Sequence, residues 1–389
     1  MNKPNYELSP IELGERLKIA RETANITQDV AAKAAGIART TLVSIEKGQR
    51  AARLEEIQEL SCLYGISANS LLRRDAIHVD LVPRFRSLPE TAGAGIELAA
   101  RMLNDLVRAE VELENILGIE KPYNYPAEKT ILPGDVRKQA EQDAQSLRNW
   151  LGLGEGPIQN LFSLLELQLG VRIYARKLDA KVSGLFAYDE AVGACILINA
   201  SHREDRRTLT GAHELGHFIG TRRRPEIYQD QKYENSREER YANAFASAFL
   251  MPARAVMEKF KDLTLGSTHL TRRHIILLAN FFGVSRQAMV LRLEELGLTK
   301  KGTWDWFADN GGITDEQVRQ VLGSAAHGPV PVDGAQSSRL FLLAIEAWKK
   351  DLISEGQMSE MLKLNRERVR ELLDEAEEDE TDDLFKLPH

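Results

Sequence analysis

The sequence predicts a mainly helical protein with a small β-sheet, an α+β fold in which an all-helical N-terminal domain precedes a mixed domain and a C-terminal helical region. Three observations support this prediction. Apolar residues recur at helical spacing through most of the chain, and three short strand patterns cluster between residues 171 and 199. At 389 residues the chain is also too long for one compact domain.

The composition is that of an ordinary globular protein, with 43% hydrophobic and 28% charged residues. No apolar run approaches the roughly 18 residues that span a membrane, and the first residues lack the apolar core of a secretory signal. Cys62 and Cys195 lie far apart in apolar surroundings, which is typical of a reducing compartment. We therefore expect a cytoplasmic protein with no membrane partner. The net charge of −7 argues against indiscriminate coating of nucleic acid, but not against a small DNA-reading domain.

The N-terminal domain is predicted to be a run of short helices. Helical spacing begins near residue 10, and Thr27 is a candidate N-cap for a second helix over residues 28–35. Gly36 ends that helix, and Gly48 ends a third over residues 38–47. A fourth helix is predicted over residues 54–64. The turns between these helices are short enough for one small core to hold all of them.

The rest of the chain divides by changes of pattern. Residues 79–150 form a predicted helical connector, with a long amphipathic stretch over 96–116, a proline-containing loop over 123–133 and a further helix over 136–151. Residues 158–169 are a predicted helix, and strand alternation follows at 171–175, 184–188 and 194–199. Helical spacing returns near residue 206. Nine of the thirteen residues from 371 to 383 are Asp or Glu, which predicts a solvated or disordered acidic tail.

These patterns set the predicted domain boundaries. They are an N-terminal helical domain over residues 1–75, the connector over 76–150, a mixed domain with the short strands over 151–262, its helical extension over 263–325, and a C-terminal region over 326–389. Near residues 284–287 and 354–357 the helix-turn-helix rhythm recurs weakly, and helix capping explains both instances.

Residues 213–217 read His-Glu-Leu-Gly-His, and they predict a zinc-binding peptidase site. Two histidines four residues apart lie one turn apart on the same face of a helix, so both can bind one ion. Glu214 lies beside them, where its carboxylate can take a proton from metal-bound water. The alternative is that the two histidines are ordinary residues of a helix surface.

A peptidase zinc site needs a third protein ligand from a separate element. The segment from Glu238 to Pro252 contains an apolar helical face, so it predicts a buried helix with Glu239 at its start. We expect Glu239 to be the third ligand and Asn243, one turn further on, to hydrogen-bond a ligand histidine. Glu238 is the competing ligand, and a solvated charge at the helix N-terminus is the alternative for either carboxylate.

Together these motifs resemble the ImmA/IrrE family of bacterial zinc peptidases, which have a zincin-like fold. The resemblance covers roughly residues 140–300. It rests on the His213 motif with Arg206-Arg-Thr-Leu-Thr210 before it, on Ile196-Leu-Ile-Asn199, and on the Glu239-Arg-Tyr-Ala-Asn-Ala-Phe-Ala246 and Leu250-Met-Pro252 strings. It implies one Zn²⁺ per chain held by His213, His217 and Glu239, with Glu214 as general base. Members of this family typically cleave a transcriptional repressor.

The expected chemistry is hydrolysis of a peptide bond. Zinc lowers the pKa of its bound water and polarises the carbonyl, while Glu214 takes the proton and passes it to the leaving amine. If the strand at 184–188 forms a sheet edge, it can pair with an extended substrate. His202, Tyr228 and Tyr233 are candidates for stabilising the oxyanion, and the sequence favours none of them over an ordinary surface role.

The segment from Thr27 to Gly48 is similar to phage-repressor-type (Xre) helix-turn-helix domains, over about residues 10–73. Its apolar frame predicts how the two central helices pack, with Gly36 at the turn. The frame residues are Val30, Ala31, Ile37, Leu42 and Ile45. Ala38 departs from the Ser or Thr common at that position, so a cap or phosphate contact is lost there.

This resemblance implies contacts with double-stranded operator DNA. Arg39, Thr40 and Ser44 would face base edges, and Gln28 and Lys47 would reach phosphates. A homodimer on a two-fold-related site is expected, because one small module buries little surface. The first 75 residues hold eleven Lys or Arg against ten Asp or Glu, so their field is barely positive, and docking to protein is the alternative.

Three functions therefore compete. The first is a DNA-binding regulator whose zinc peptidase cleaves a repressor, a partner or itself, as in a stress response. The second is a repressor or antitoxin of a toxin–antitoxin or phage-defence operon, whose peptidase-like domain binds a partner such as a toxin, or a signal, with little turnover. A third possibility is a peptidase whose N-terminal domain binds only protein.

Overall fold

The computed structural model describes residues 9–24, 26–64, 68–72, 81, 94–222, 226–229, 236–323 and 338–381. Its contacts divide the chain into two compact units. The first comprises residues 1–80, 104–121 and 340–389, and the second comprises 81–103 and 122–339. The predicted α+β class is confirmed, because many helices accompany one small sheet. In the part of the chain that the structure describes, no single helix is long and apolar enough to cross a membrane.

The N-terminal helices have the predicted order and nearly the predicted bounds. They are α1 (Pro10–Thr23), α2 (Gln28–Ala34), α3 (Arg39–Glu46), α4 (Leu54–Tyr64) and α5 (Ala68–Leu72). Ser9 caps α1 in a reciprocal capping box with Glu12, and the Thr27 hydroxyl caps α2 as predicted. The backbone of Ala38 occupies the N-cap position of α3, and its methyl side chain makes no cap hydrogen bond. The loss predicted from the sequence at this position is therefore confirmed.

These five helices share a small core. Leu17, Leu42, Ile45 and Leu60 are almost fully buried in it. Gly48 follows α3 with a φ of +69°, and a Cβ there would lie 2.5 Å from the Cα of Ile11, so both the conformation and the space require glycine. One predicted core residue is wrong. Val30 is 53% exposed, because the buried face of α2 is formed by its neighbours Ala31 and Ala32.

The connector and the C-terminal region are helical. Residues 94–150 contain α6 (Ala94–Leu117) and α7 (Val136–Trp150), separated by the predicted loop. The C-terminal helices are α16 (Ser338–Lys349), α17 (Glu355–Leu362) and α18 (Arg366–Thr381). The acidic tail, predicted to be solvated or disordered, is helical up to Thr381. Its Glu371, Asp374 and Glu375 side chains are exposed, which agrees with solvation. Ser354 caps α17 with a capping box, as the sequence indicated.

The second unit contains a four-stranded sheet. A short helix, α8 (Leu161–Ser163), continues as a π-helical turn over Leu164–Leu169, so it begins three residues later than predicted. The strands are β1 (Arg172–Arg176), β2 (Val182–Asp189), β3 (Gly193–Asn199) and β4 (Glu226–Gln229). Their order is β1-β3-β2-β4, with β1 parallel to β3 and β2 antiparallel to both β3 and β4. The expectation that residues 184–188 form a sheet edge is not met over Gly184–Phe186, because β4 pairs there.

Two helices, α9 (Glu204–Gly220) and α10 (Arg237–Leu250), pack closely in this unit. A Cβ on Gly216 would lie 2.9 Å from the Cα of Ala242, so the helices approach each other where both residues are small. A Cβ on Gly220 would lie 2.6 Å from the ring of Tyr241. The glycines of α9 therefore set how near α10 comes to it.

Five helices follow α10 and share its hydrophobic core. They are α11 (Ala253–Thr264), α12 (Arg272–Phe282), α13 (Arg286–Glu295), α14 (Thr303–Asp309) and α15 (Asp315–Leu322). The buried Arg292 on α13 donates to the carbonyl of Met251, and its Nη2 donates to both carboxylate oxygens of Glu141 on α7. Residues 136–313 thus contribute to one core, although the sequence patterns change near residue 262.

Candidate functional site

The predicted metal motif lies in the second half of α9. Because His213 and His217 are one turn apart, their imidazoles lie on the same face, with the two Nε2 atoms 3.0 Å apart. Both side chains are almost completely buried, although α9 carries charged residues at its start. The helix therefore turns two nitrogen ligands into the interior of the domain.

Glu239 reaches the same point from α10. The hydroxyl of Ser236 caps this helix by accepting from the backbone N–H of Glu239 at 3.0 Å, which fixes Glu239 in the first turn. Its Oε2 lies 3.3 Å from His213 Nε2, and its Oε1 lies 3.4 Å from His217 Nε2. One ligand atom from each of the three residues falls within 4.8 Å of the others, so they can hold a single metal ion. The competing residue, Glu238, is half-exposed and lies outside this group.

The other nitrogen of each histidine has a hydrogen-bond partner. His213 Nδ1 lies 3.0 Å from Asn243 Oδ1, the pairing expected from the sequence. His217 Nδ1 lies 3.1 Å from the hydroxyl of Thr221, which itself donates to the carbonyl of His217. Both partners accept from an Nδ1–H, so both rings present an Nε2 lone pair to the metal position. Sequence reasoning missed Thr221, although a hydroxyl four residues after a ligand histidine at a helix end was the available signal.

The protonation states suit a metal ion. Burial lowers the pKa of His217, which favours its neutral form. Burial alone would raise the pKa of Glu239, but the neighbouring His213 and His217 side chains outweigh it and lower that pKa to about 2. A neutral imidazole and an ionised carboxylate are the forms that bind zinc. Two nitrogens and one carboxylate also leave a fourth tetrahedral position for water or substrate, so the donor set fits catalytic zinc.

Glu214 lies fully buried beside the two histidines, with its carboxylate turned towards the sheet. A Cβ built on Gly184 of β2 would lie 2.9 Å from Glu214 Oε1 and 2.7 Å from the methyl group of Thr210. A side chain at position 184 would force this carboxylate and Thr210 to move. Sequence reasoning noted Gly184 as the start of a strand, but its role depends on the packing of α9 against β2 and was not visible in the pattern.

The three oxyanion candidates stay predictions. His202 is partly buried, and its backbone N–H donates to the carbonyl of Asn199. Tyr233 and the side chain of Tyr228 lie outside the described residues.

The predicted DNA contacts lie on and around α3. Arg39 and Thr40 are exposed at its start, and Arg39 Nε lies 3.7 Å from Asp29 on α2. Ser44 is partly exposed, and its hydroxyl donates to the carbonyl of Thr40. Lys47 is exposed directly after the helix.

The side chain of Gln28, which was predicted to contact a DNA phosphate, hydrogen-bonds to another side chain of the domain. Its amide donates to Glu46 Oε2 at 2.8 Å, and Glu46 forms a buried ion pair with Arg21 at 2.6 Å. This bonding raises the pKa of Arg21, against the lowering effect of burial. The group of Arg21, Gln28 and Glu46 ties α1, α2 and α3 together, and sequence reasoning had not identified it.

Family models match both the N-terminal helices and the domain that contains the predicted metal motif. The family model described as "Helix-turn-helix" matches residues 17–71, and the model described as "IrrE N-terminal-like domain" matches residues 167–294. Among solved structures, a crystal structure of ComR from Streptococcus suis is 13% identical, with 96% of each chain covered and a TM-score of 0.17. No curated protein matches the sequence.

Proposed function

We propose that this chain, which joins a helix-turn-helix domain to an IrrE N-terminal-like domain, is a DNA-binding transcriptional regulator with a zinc-dependent peptidase that cleaves a repressor or partner protein. One observation carries the enzymatic half of the proposal. His213, His217 and Glu239 offer three buried ligand atoms within 4.8 Å of one another. Glu214 follows His213 on the same helix, and its side chain is fully buried.

The donor chemistry supports zinc, one ion per chain. When bound, zinc would supply a Lewis acid for the scissile carbonyl and for the attacking water. Asn243 and Thr221 hold the two imidazoles in the tautomer that presents Nε2 to the ion. Glu214 takes the proton from the attacking water and delivers it to the leaving amine.

The regulatory half of the proposal depends on the N-terminal domain. Arg39, Thr40 and Ser44 would read base edges, while Gln28 and Lys47 would contact phosphates. We propose that a homodimer binds a two-fold-related operator, so that cleavage of a protein by the same chain is coupled to transcription.

Two measurements test the enzymatic half. Metal analysis of freshly purified protein should give about one zinc per chain, and the His213→Ala/His217→Ala variant should lose it. Incubation with the protein products of neighbouring genes should yield specific fragments, which Glu214→Gln abolishes while keeping its zinc. Zinc-free wild-type protein would overturn the metal site. Full zinc without cleavage in either sample would support the partner-binding function instead.

A third measurement tests DNA binding. The full chain should protect a two-fold-related site at its own promoter, and that protection should weaken as salt rises, because phosphate contacts release counterions. Arg39→Ala should reduce the preference for that site over unrelated DNA by about 1–3 kcal/mol. If the purified dimer protects no promoter DNA at low salt, the N-terminal domain is a protein-docking module.

A further inference from the structure

We propose that β4 occupies the peptide-binding edge of the sheet, so that a substrate strand must take its place along β2 before cleavage. This inference rests on the proposed peptidase function and adds its regulation and its class of substrate. The occupant is a segment of this chain, Glu226–Gln229, and the incoming competitor is an extended polypeptide.

The position of β2 relative to Glu214 is the first observation. Helix α9 packs against β2, β3 and β4. Gly184 is the residue of β2 whose missing side chain makes room for the Glu214 carboxylate. The candidate general base is therefore level with Gly184 along the strand. A peptide paired with β2 at this level would pass beside the base.

The second observation is that β4 already pairs there. β3 pairs with one side of β2, and β4 pairs antiparallel with the other. In this register Tyr228 is opposite Gly184, and the pairs Leu185 with Ile227 and Phe186 with Glu226 follow. The backbone of β4 therefore pairs with the part of β2 that lies beside Glu214. An extended substrate using this side of β2 needs the same ladder of hydrogen bonds.

The length of β4 makes the exchange feasible. β4 has four residues, whereas β2 has eight, and their pairing ends at Phe186, three residues before β2 ends at Asp189. A register shift between Val182 and Gly184 interrupts the ladder at its other end. A substrate strand that also pairs along Ala187–Asp189 would form hydrogen bonds that β4 does not.

The energetics favour exchange over simple addition. Replacing β4 by another strand breaks and makes backbone hydrogen bonds of the same kind, so the free energies of the lost and gained bonds nearly cancel. The tether gives β4 an effective concentration in about the millimolar range, so a short free peptide at low concentration loses the competition. A longer segment, or one delivered by a docked partner protein, wins it. The substrate class that follows is an extended, locally unfolded segment of about six residues or more, recognised chiefly through its backbone.

The experiment removes the competitor without touching the metal site. Successive N–H groups of a strand point to opposite sides, so replacing two adjacent residues by proline removes one N–H that faces β2 whichever way the strand is turned. The test variant is Ile227→Pro/Tyr228→Pro, and the matched control is Ile227→Ala/Tyr228→Ala, which keeps both N–H groups. Both are made in the Glu214→Gln background, so that a bound peptide stays intact.

The probe is a fluorescein-labelled peptide of residues 222–233, followed by anisotropy. We expect the proline variant to bind it at least tenfold more tightly than the alanine control or the Glu214→Gln parent. Equal affinity in all three proteins, or no binding to the proline variant, would overturn the proposal. Zinc content and melting temperature equal to those of the parent verify that the proline variant is folded.

Hydrogen exchange of the parent protein gives a second, independent readout. Amides of Val182–Phe186 that pair with β4 should exchange faster in the proline variant and regain protection when the peptide is added. Rapid exchange in the parent, unchanged by the prolines, would also overturn the proposal.

With Glu214 restored, the same variants separate this proposal from the peptidase function itself. If the proline variant binds the peptide but cleaves no protein, the peptidase function is disproved, whereas the proposal that β4 occupies a peptide-binding edge of β2 stands. If wild type and proline variant cleave a partner protein at the same rate, the peptidase function holds and the competition by β4 is disproved.

Discussion

At the scale of single residues, the candidate site depends on hydrogen bonds one step away from the metal position. Asn243 and Thr221 each accept from an imidazole Nδ1–H. Removing either acceptor frees a ring to rotate or to change tautomer, and both changes withdraw an Nε2 lone pair. Metal affinity therefore depends on these hydrogen-bond partners as well as on the ligand residues.

We predict that Asn243→Ala and Thr221→Val each weaken zinc binding by about 10–100-fold, as is typical when such hydrogen bonds are lost. The measurement is competition with a chelator of known affinity. Asn243→Asp and Thr221→Ser are the matched controls, because each keeps an oxygen acceptor. Unchanged affinity in both truncated variants would show that packing alone orients the rings.

A second prediction concerns Gly184. Its replacement by alanine places a methyl group within 2.9 Å of Glu214 Oε1, so the carboxylate must move. We expect Gly184→Ala to keep its zinc but lose at least tenfold in kcat for peptide cleavage, because the proton acceptor is displaced. Gly156→Ala is the control, since a Cβ there meets nothing within 4 Å. Wild-type kcat in Gly184→Ala would remove Glu214 from the proposed role.

At the scale of elements, helix ends and helix contacts account for most of the local structure. Ser9, Thr27 and Ser236 each cap the helix that follows, whereas Ala38 leaves α3 without a side-chain cap. The close approach of α9 and α10 depends on Gly216 facing Ala242. The residue at the N-cap therefore fixes where a helix begins, and the smallest residue at a helix contact fixes how closely the two helices approach.

We predict that Ala38→Ser stabilises the N-terminal domain by about 1 kcal/mol, because the hydroxyl can accept an N–H of the first turn of α3. Urea unfolding monitored by circular dichroism measures the change. Ala38→Gly is the comparison, since it leaves the cap without a side chain. A Ser variant no more stable than Gly would mean that another group already satisfies this helix end.

The start of α4 gives a pH prediction. Hydrogen bonds from Arg50 lower the pKa of Glu56, against the raising effect of burial, and the N–H of Arg53 contributes in the same direction. A carboxylate with a lowered folded-state pKa contributes stability that is present above its unfolded value of 4.5 and is lost as pH falls through the folded value. Glu56→Gln should therefore destabilise the domain at pH 7 and flatten the loss of stability below about pH 4.5. Parallel pH profiles for the variant and wild type would contradict this prediction.

At the scale of the whole molecule, the chain forms two units with separate hydrophobic clusters. The cluster around Leu17 and Leu42 belongs to the N-terminal helices, and the cluster containing residues 136–313 belongs to the second unit. The three candidate metal ligands, His213, His217 and Glu239, all lie in the second unit. Metal binding and the stability of the DNA-reading domain should therefore be separable.

We predict that removing zinc with a chelator lowers the melting temperature of the second unit and leaves that of the N-terminal helices unchanged. A ligand present at one hundred times its Kd stabilises its domain by about 2.7 kcal/mol. Calorimetry gives the shift, and hydrogen exchange at increasing temperature assigns it to a unit. The His213→Ala/His217→Ala variant should show no response to the chelator, and an equal shift in both units would contradict their independence.

Much of the fold was predictable because local signals determine it. The caps at Thr27 and Ser354 and the strand alternation near residues 171 and 194 were confirmed. The predictions that were wrong depended on how the elements pack against one another. Val30 is exposed because Ala31 and Ala32 form the buried face of α2, and Gly184–Phe186 do not form a sheet edge because β4 pairs there.

The sequence by itself determined the chemistry that is available, because a turn of helix necessarily puts His213 and His217 on one face and Glu214 beside them. Only the tertiary structure decided which carboxylate joins them, since Glu239 and Glu238 differ only in the direction that α10 turns them. It also decided that Gly184 makes room for Glu214 and that β4 covers this part of β2. The physical reason is that spacing along one element follows from backbone geometry, whereas contacts between elements depend on how closely small residues such as Gly216 and Ala242 let them approach.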